Sequence, residues 1–212
     1  MPRVSGYLFT LHALAVLSPA TLDEALGVLR HFGITLSPGK TTVDVANRVG
    51  EDRWFPRNPD RRPTPAAVYR RILDALGHHE QLSADVVTYD YEIGGEWSDY
   101  VDYLYRLAGL ARVRPSRVAV SDLTAGDDGS KWVVLSFTIQ DDAFRWALPQ
   151  HNADASLDFV PRVAGLLRRL DPARVLASAG DAFILIPSQQ ASAFEHATGL
   201  ACRVERTYPG AV

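Results

Sequence analysis

The feature that most constrains the fold is a set of short alternating apolar segments joined by turns too short for a crossover helix. Trp132–Gln140 carries Val, Leu, Phe and Ile at every second position, and Phe144–Leu148 repeats the alternation. Further on, Arg174–Ala179 and Ala182–Pro187 flank Gly180-Asp181. Period-two patterns separated by such turns are typical of β-hairpins, which build antiparallel sheets.

Helical signals dominate the chain before these strands. Thr21 begins a Thr-Leu-Asp-Glu capping box, and Gly33 fits a left-handed helix stop. Another helix is predicted from Thr64, with proline in its first turn, to Gly77. A shorter helix is expected around Val43 to Val49.

Helices and strands alternate in the remainder. Helices are expected over about Trp97–Gly109, from Ser156 to Leu170 and over Ser188–Thr198, with further strands at Val86–Tyr91, Arg117–Leu123 and Ala201–Tyr208. The prediction is an α+β fold, a mostly antiparallel sheet with helices packed on one face, preceded by a mainly helical N-terminal part. A boundary near residues 78–84 divides residues 1–80 from 81–212, unless the two form one continuous domain.

Composition excludes several classes of protein. The 212 residues have ordinary hydrophobic and charged contents, and the longest apolar stretch, Leu8 to Leu17, is too short to span a bilayer. The single cysteine, Cys202, rules out an internal disulfide and agrees with a reducing compartment, so a cytoplasmic protein is expected. Arginine greatly outnumbers lysine, which suggests a genome of high GC content. The net charge of −3 argues against general nucleic-acid binding.

Three segments resemble functional motifs but lack residues that the corresponding chemistry requires. Gly39-Lys40-Thr41 resembles the end of a phosphate-binding loop, but Ile34 stands where the first glycine is required. The segment is therefore expected to be an ordinary turn that caps the next helix. His78-His79-Glu80 lacks a second ligand pair at helical spacing. Cys202 has no patterned His or acidic partner, so it is expected to be a small buried hydrophobe. No catalytic residue, metal site or cofactor is predicted.

The segment from Tyr89 to Tyr103 combines acidic and aromatic residues, and the second half of the chain is also its acidic half. The predicted helix buries an apolar face made of Trp97, Tyr100, Val101, Leu104 and Ala108. Asp99, Asp102 and Tyr103 fall opposite that face together with Arg106. Carboxylates steer a basic partner, and tyrosine adds apolar area at small entropic cost. The predicted partner-binding residues are therefore Glu92, Glu96, Asp99, Asp102 and Tyr103. The alternative is structural: Asp102 and Arg106 form an i,i+4 pair and the tyrosines belong to the core.

The order of elements over about residues 130–200 resembles that of small bacterial toxin-immunity proteins. A strand ending at Phe144–Leu148 is followed by a polar loop, the Leu157–Leu170 helix, a strand, the segment Gly180–Ile186 and a last helix. The resemblance implies a non-enzymatic protein that inhibits a basic toxin domain by binding it, with no catalytic residues to carry over and with the acidic half as contact surface.

Two other functions are weighed against this one. A small enzyme could use a cleft lined by His151, Asp154, Glu92 or Asp90, because catalytic groups can be distant in sequence. Nucleic-acid binding could use the Arg53–Arg71 surface, where aromatic residues are interleaved with arginines. Neighbouring acidic residues argue against the second.

Overall fold

The computed structural model describes residues 19–51, 64–78, 82–88, 97–123, 131–150 and 158–208. The helices in these ranges are α1 (Pro19–His31), α2 (Thr42–Glu51), α3 (Pro65–Gly77), α4 (Trp97–Leu110), α5 (Phe159–Leu170) and α6 (Ala191–Thr198). The strands are β1 (Val86–Thr88), β2 (Ser116–Leu123), β3 (Lys131–Ile139), β4 (Asp142–Gln150), β5 (Arg174–Ala179), β6 (Ala182–Pro187) and β7 (Cys202–Val204).

One sheet is formed by the consecutive strands β2, β3 and β4, which pair antiparallel in that order. Leu135 lies opposite Trp146 and Phe137 opposite Phe144, and these side chains are buried on the same face. The Trp146 ring contacts the ring of Phe159 on α5, with centroids 6.4 Å apart. The alternating residues therefore form the face that the helix covers, as the sequence predicts.

The other sheet has the strand order β1-β6-β5-β7. β1 and β6 are antiparallel, with Val86 opposite Ile184 and Thr88 opposite Ala182. Strand β6 is an inner strand, and its residues Ala182 to Ile186 are all buried. The two antiparallel sheets and the helices packed against them confirm the predicted α+β fold.

The chain divides into two compact units. One comprises Met1–Thr88, Ala179–Ile184 and Gln189–Cys202, and the other Tyr89–Ser178, Leu185–Ser188 and Arg203–Val212. The predicted division of the chain into residues 1–80 and 81–212 stays a prediction.

Helix α1 confirms the predicted apolar face but not the predicted start. Leu22, Leu26 and Leu29 are buried, and Gly33 adopts a φ of 84° after the last turn. The helix begins at Pro19, two residues before Thr21, so Thr21 lies inside the first turn and the capping-box prediction is wrong. Proline fits the first helical turn because its missing N–H would have no helical acceptor there.

Helix α3 begins and ends where the sequence predicts. The Thr64 hydroxyl accepts a hydrogen bond from the Ala67 N–H at 3.3 Å, and Pro65 follows in the first turn. At the other end Gly77 is buried against β1, and the Thr88 hydroxyl donates to the Gly77 carbonyl at 2.8 Å. A Cβ on Gly77 would lie 2.7 Å from the Thr88 nitrogen. This glycine is therefore required by the close approach of strand and helix.

Replacement of Gly77 by alanine is expected to lower the free energy of unfolding by about 1–3 kcal/mol, because the clash is with backbone that cannot simply turn aside. Urea unfolding followed by circular dichroism measures the change. Gly109 in α4 is the matched control, since a Cβ there meets nothing within 4 Å. Gly109→Ala should raise stability by about 0.5–1 kcal/mol through helix propensity. Equal effects of the two substitutions would contradict the close-packing argument.

Candidate protein-binding face

Helix α4 is anchored by one strongly apolar side. Tyr100, Leu104 and Leu107 are buried, and the Tyr100 ring packs edge-on against Phe159 of α5 with centroids 5.3 Å apart. Ala108 and Leu110 extend this buried side toward the end of the helix. The helix is therefore held in a fixed rotation, which fixes the residues that it presents outward.

Asp99 and Asp102 lie one turn apart on α4; Asp102 is on the exposed side, and Asp99 is half-buried at the border of that side. Asp102 is exposed over 61% of its side chain, and one of its carboxylate oxygens lies 3.7 Å from a guanidinium nitrogen of Arg106. The Arg106 side chain is only 11% exposed, and its guanidinium lies 5.3 Å from the centre of the Tyr103 ring. Arg106 therefore contacts both the buried Tyr103 ring and the exposed Asp102 carboxylate, and it stabilises the outer side of the helix.

The predicted position of Tyr103 on the outer side is wrong. Tyr103 is only 6% exposed and lies on the same side as Tyr100 and Leu107, which are three residues before it and four after it. The exposed tyrosine of this helix is Tyr105, at 37%. Tyr105 lies three residues beyond Asp102, so the two side chains are neighbours on the helix surface.

We refer to Asp99, Asp102 and Tyr105 as the α4 acidic face. It retains two of the predicted partner-binding residues and replaces Tyr103 by Tyr105. Glu92 and Glu96, the other two predicted residues, lie outside the described residues. Two carboxylates beside a tyrosine, on a helix fixed by its buried side, suit a protein partner with positive charge.

The turn with Gly39-Lys40-Thr41 acts as a helix cap, as the sequence predicts. The Thr41 N–H and hydroxyl donate to the Asp44 carboxylate at 2.7 and 2.8 Å, and the Asp44 N–H lies 3.4 Å from the Thr41 hydroxyl oxygen. These bonds from Thr41 hold the pKa of Asp44 below its usual value. The start of α2 therefore already holds a carboxylate of its own chain where an anion would bind.

The remaining candidate residues are only partly described. His151, Asp154, Asp90 and His79 lie outside the described ranges, as do the arginines at positions 53, 57, 61 and 62. Of the predicted Arg53–Arg71 surface, Arg70 forms an ion pair with Asp181, and its Nε donates to the same carboxylate at 2.8 Å. Within the described ranges, no group of three or more His, Cys, Asp or Glu side chains could hold a metal ion.

Buried polar side chains in the described part of the chain are neutral hydroxyls with nearby acceptors. They are Ser83, Thr88 and Thr198. The Ser83 hydroxyl donates to the Thr35 carbonyl at 2.6 Å, and the Thr198 hydroxyl donates to the Phe194 carbonyl at 2.8 Å. Thr88 bonds to Gly77 as described above. These hydroxyls are used in connecting backbone segments, so they do not form a set of groups converging on a substrate.

Cys202 is half-buried at the start of β7. Burial, and then the negative charge of Glu195, raise the pKa of its thiol to about 11. The Glu195 carboxylate also accepts a hydrogen bond from the Cys202 N–H at 3.4 Å. A thiol with so high a pKa is almost entirely protonated at neutral pH, which is the opposite of what a nucleophilic cysteine requires.

No family model, curated protein or solved structure matches this chain. Where the structure is described, none of the helices combines the length and the apolar character that crossing a bilayer requires.

Tyr103→Ala is expected to lower the free energy of unfolding by about 3 kcal/mol or more, because it opens a cavity under α4. Tyr105→Ala on the same helix should lower it by about 1 kcal/mol or less, because Tyr105 is 37% exposed where Tyr103 is buried. Chemical unfolding of the two variants beside the wild type provides the comparison. A larger loss for Tyr105→Ala would show that the assignment of the two sides is wrong.

The Cys202 thiol is expected to react slowly with iodoacetamide at pH 7 and to accelerate about tenfold per pH unit toward pH 11, because only the thiolate reacts. Glu195→Gln should lower the pKa and speed the reaction at pH 8, but it should leave a pKa above the ordinary value because burial remains. The pH at which the alkylation rate reaches half its maximum gives the midpoint of thiolate formation. A midpoint near pH 8 in the wild type would contradict this environment.

Proposed function

We propose that this protein acts without catalysis, by binding another protein through the α4 acidic face. We further propose that the partner is a basic toxin domain, neutralised in a stoichiometric complex of the immunity type. The observation that carries the proposal is the arrangement of Asp99, Asp102 and Tyr105 on a helix whose opposite side is fixed in the core.

The chemistry of this face supports a charged protein partner. Exposed carboxylates attract and orient a basic surface before contact, and their effect is largest at low salt. Tyr105 lies beside Asp102 and offers apolar area with a hydroxyl at its tip, the combination enriched at interfaces. Because Arg106 is held against the Tyr103 ring, it leaves most of the Asp102 carboxylate open to a partner.

The order of helices and strands supports the proposal that the partner is a toxin domain. Strand β4 is followed by α5, then by the β5–β6 hairpin and by α6, which is the succession on which the resemblance to toxin-immunity proteins rests. The lowered pKa values of Asp44 and Asp171 come first from bonds to Thr41 and Arg174 that hold local turns together, which is a structural use of both carboxyls.

The test is binding to the product of the adjacent gene. Co-purification followed by light scattering should give a 1:1 complex, and calorimetry should show an affinity that falls steeply as salt is raised. Charge reversal with Asp99→Lys and Asp102→Lys together should weaken the complex about tenfold or more, with most of the loss in the association rate.

The matched control is Glu24→Lys with Glu195→Lys. These two carboxylates are exposed and, like Asp99 and Asp102, helical, and the double change alters the net charge by the same amount. The control should bind within about twofold of the wild type at moderate salt. If both double variants weakened the complex equally, the effect would come from overall charge and not from the α4 acidic face. If Asp99→Lys with Asp102→Lys did not weaken the complex, the α4 acidic face would not be part of the interface.

A further inference from the structure

Strand β7 is the last strand of the four-stranded sheet, and among the described strands none lies beyond it. The Glu205 N–H donates to the Leu176 carbonyl of β5 at 2.9 Å, and the Ser178 hydroxyl donates to the Arg203 carbonyl at 3.4 Å. Position 203 thus faces 178, and 205 faces 176. The two strands run antiparallel.

These contacts fix the direction of the backbone groups along β7. Because Arg203 and Glu205 direct their backbone toward β5, the intervening Val204 directs its N–H and C=O away from the sheet. The Val204 side chain is also 40% exposed, one of the few large apolar side chains in the described chain with so much surface in solvent. The outer edge therefore presents a donor, an acceptor and an apolar side chain at one position.

We propose that this edge is a self-pairing surface, on which β7 of a second copy of the chain lies antiparallel about a two-fold axis at Val204. The two Val204 residues would exchange N–H···O=C bonds, and Arg203 of each copy would lie opposite Glu205 of the other. An exchange of identical contacts about a two-fold axis is the usual form of a homodimer interface.

Charge complementarity selects this register among those that the backbone allows. Outward-facing residues must pair with outward-facing residues, so the axis passes through a residue, and within Arg203–Glu205 it can lie at position 203, 204 or 205. An axis at 203 places Arg203 opposite its own copy, and an axis at 205 does the same for Glu205. Both alternatives set like charges directly opposite each other, which is destabilising. Only the axis at Val204 gives two Arg–Glu pairs.

The ends of this segment are held in place, so the strand needs little ordering before it pairs. The Cys202 N–H lies 3.4 Å from the Glu195 carboxylate. On the other side the Tyr208 N–H donates to the Pro161 carbonyl at 3.3 Å, and the Arg162 guanidinium lies 4.9 Å from the centre of the Tyr208 ring. Preorganisation of this kind lowers the entropic cost of association.

The contact is small, so the dimer is expected to be weak and dependent on concentration. Sedimentation velocity on the full chain, from about 10 µM to about 1 mM, should show a monomer passing into a dimer that dissociates at high salt. Hydrogen exchange should show slower exchange of the Val204 amide as concentration rises. The Glu205 amide, already bonded to Leu176, should exchange at a constant rate and serves as the internal control.

Variants separate this register from any other association. Arg203→Glu should weaken the dimer about tenfold, because both Arg–Glu pairs of the two-fold contact then become pairs of carboxylates. Glu205→Arg should do the same, and the double variant Arg203→Glu with Glu205→Arg should restore the dimer because the pairs are only exchanged. Arg206→Glu is the control for overall charge, as Arg206 lies outside these pairs, and it should leave the dimer within about twofold.

Val204→Pro removes the outward N–H and should abolish the dimer, while Val204→Ala, which keeps the N–H, should reduce it less. Unchanged far-ultraviolet circular dichroism distinguishes loss of the dimer from loss of the fold. A chain that stays monomeric up to about 1 mM would overturn the proposal. A dimer that persists in Val204→Pro would also overturn it. The same holds if the double variant Arg203→Glu with Glu205→Arg does not recover the dimer affinity that each single variant loses.

Discussion

The constraint on which most of the described structure depends is the burial of strand β6 on both faces. Its residues from Ala182 to Ile186 are buried without alternation, so other parts of the chain must cover both faces of the strand. A neighbouring strand must also pair with each of its two edges. β1 pairs with it in register, and β5 reaches it through the two-residue turn Gly180-Asp181. Gly180 takes a φ of 63°, and the Asp181 carboxylate is held by Arg70. With β6 inside the sheet, β7 is left as an outer strand.

Sequence reasoning located elements best where turn chemistry and periodicity agreed. The bounds of β5 and β6 match the prediction because Gly-Asp separates two apolar runs, and α3 matches because Thr64 and Gly77 mark its ends. The β3–β4 turn carries no such signal. Gln140 and Asp141 both adopt positive φ without a glycine, and β4 extends beyond the predicted Phe144–Leu148 at both ends. Pairing with β3 over nine positions outweighs the weak local preferences of the added residues.

The candidate binding face was predicted in part, and the error has a definite cause. The predicted apolar side of α4 counted Leu104 and Ala108 but omitted Leu107 and Leu110, both of which are buried. Their inclusion rotates the centre of that side toward Tyr103, and Tyr105 becomes the exposed tyrosine. Leu107 could have been placed from periodicity, since it lies one turn beyond Tyr103 and Leu104. The contact between Tyr100 and Phe159 could not, because it joins residues far apart in the sequence.

The described acidic residues differ in how closely their partners hold them. Asp44 is bonded to Thr41 and Asp171 to Arg174 within local turns, and Asp181 in the β5–β6 turn is bonded to the distant Arg70. Asp102 differs, because its partner Arg106 is itself drawn toward an aromatic ring and most of the carboxylate stays in water. An exposed ion pair of this kind contributes little to stability. The Asp102 carboxylate therefore contributes little to folding and stays accessible to solvent, as the proposed function requires.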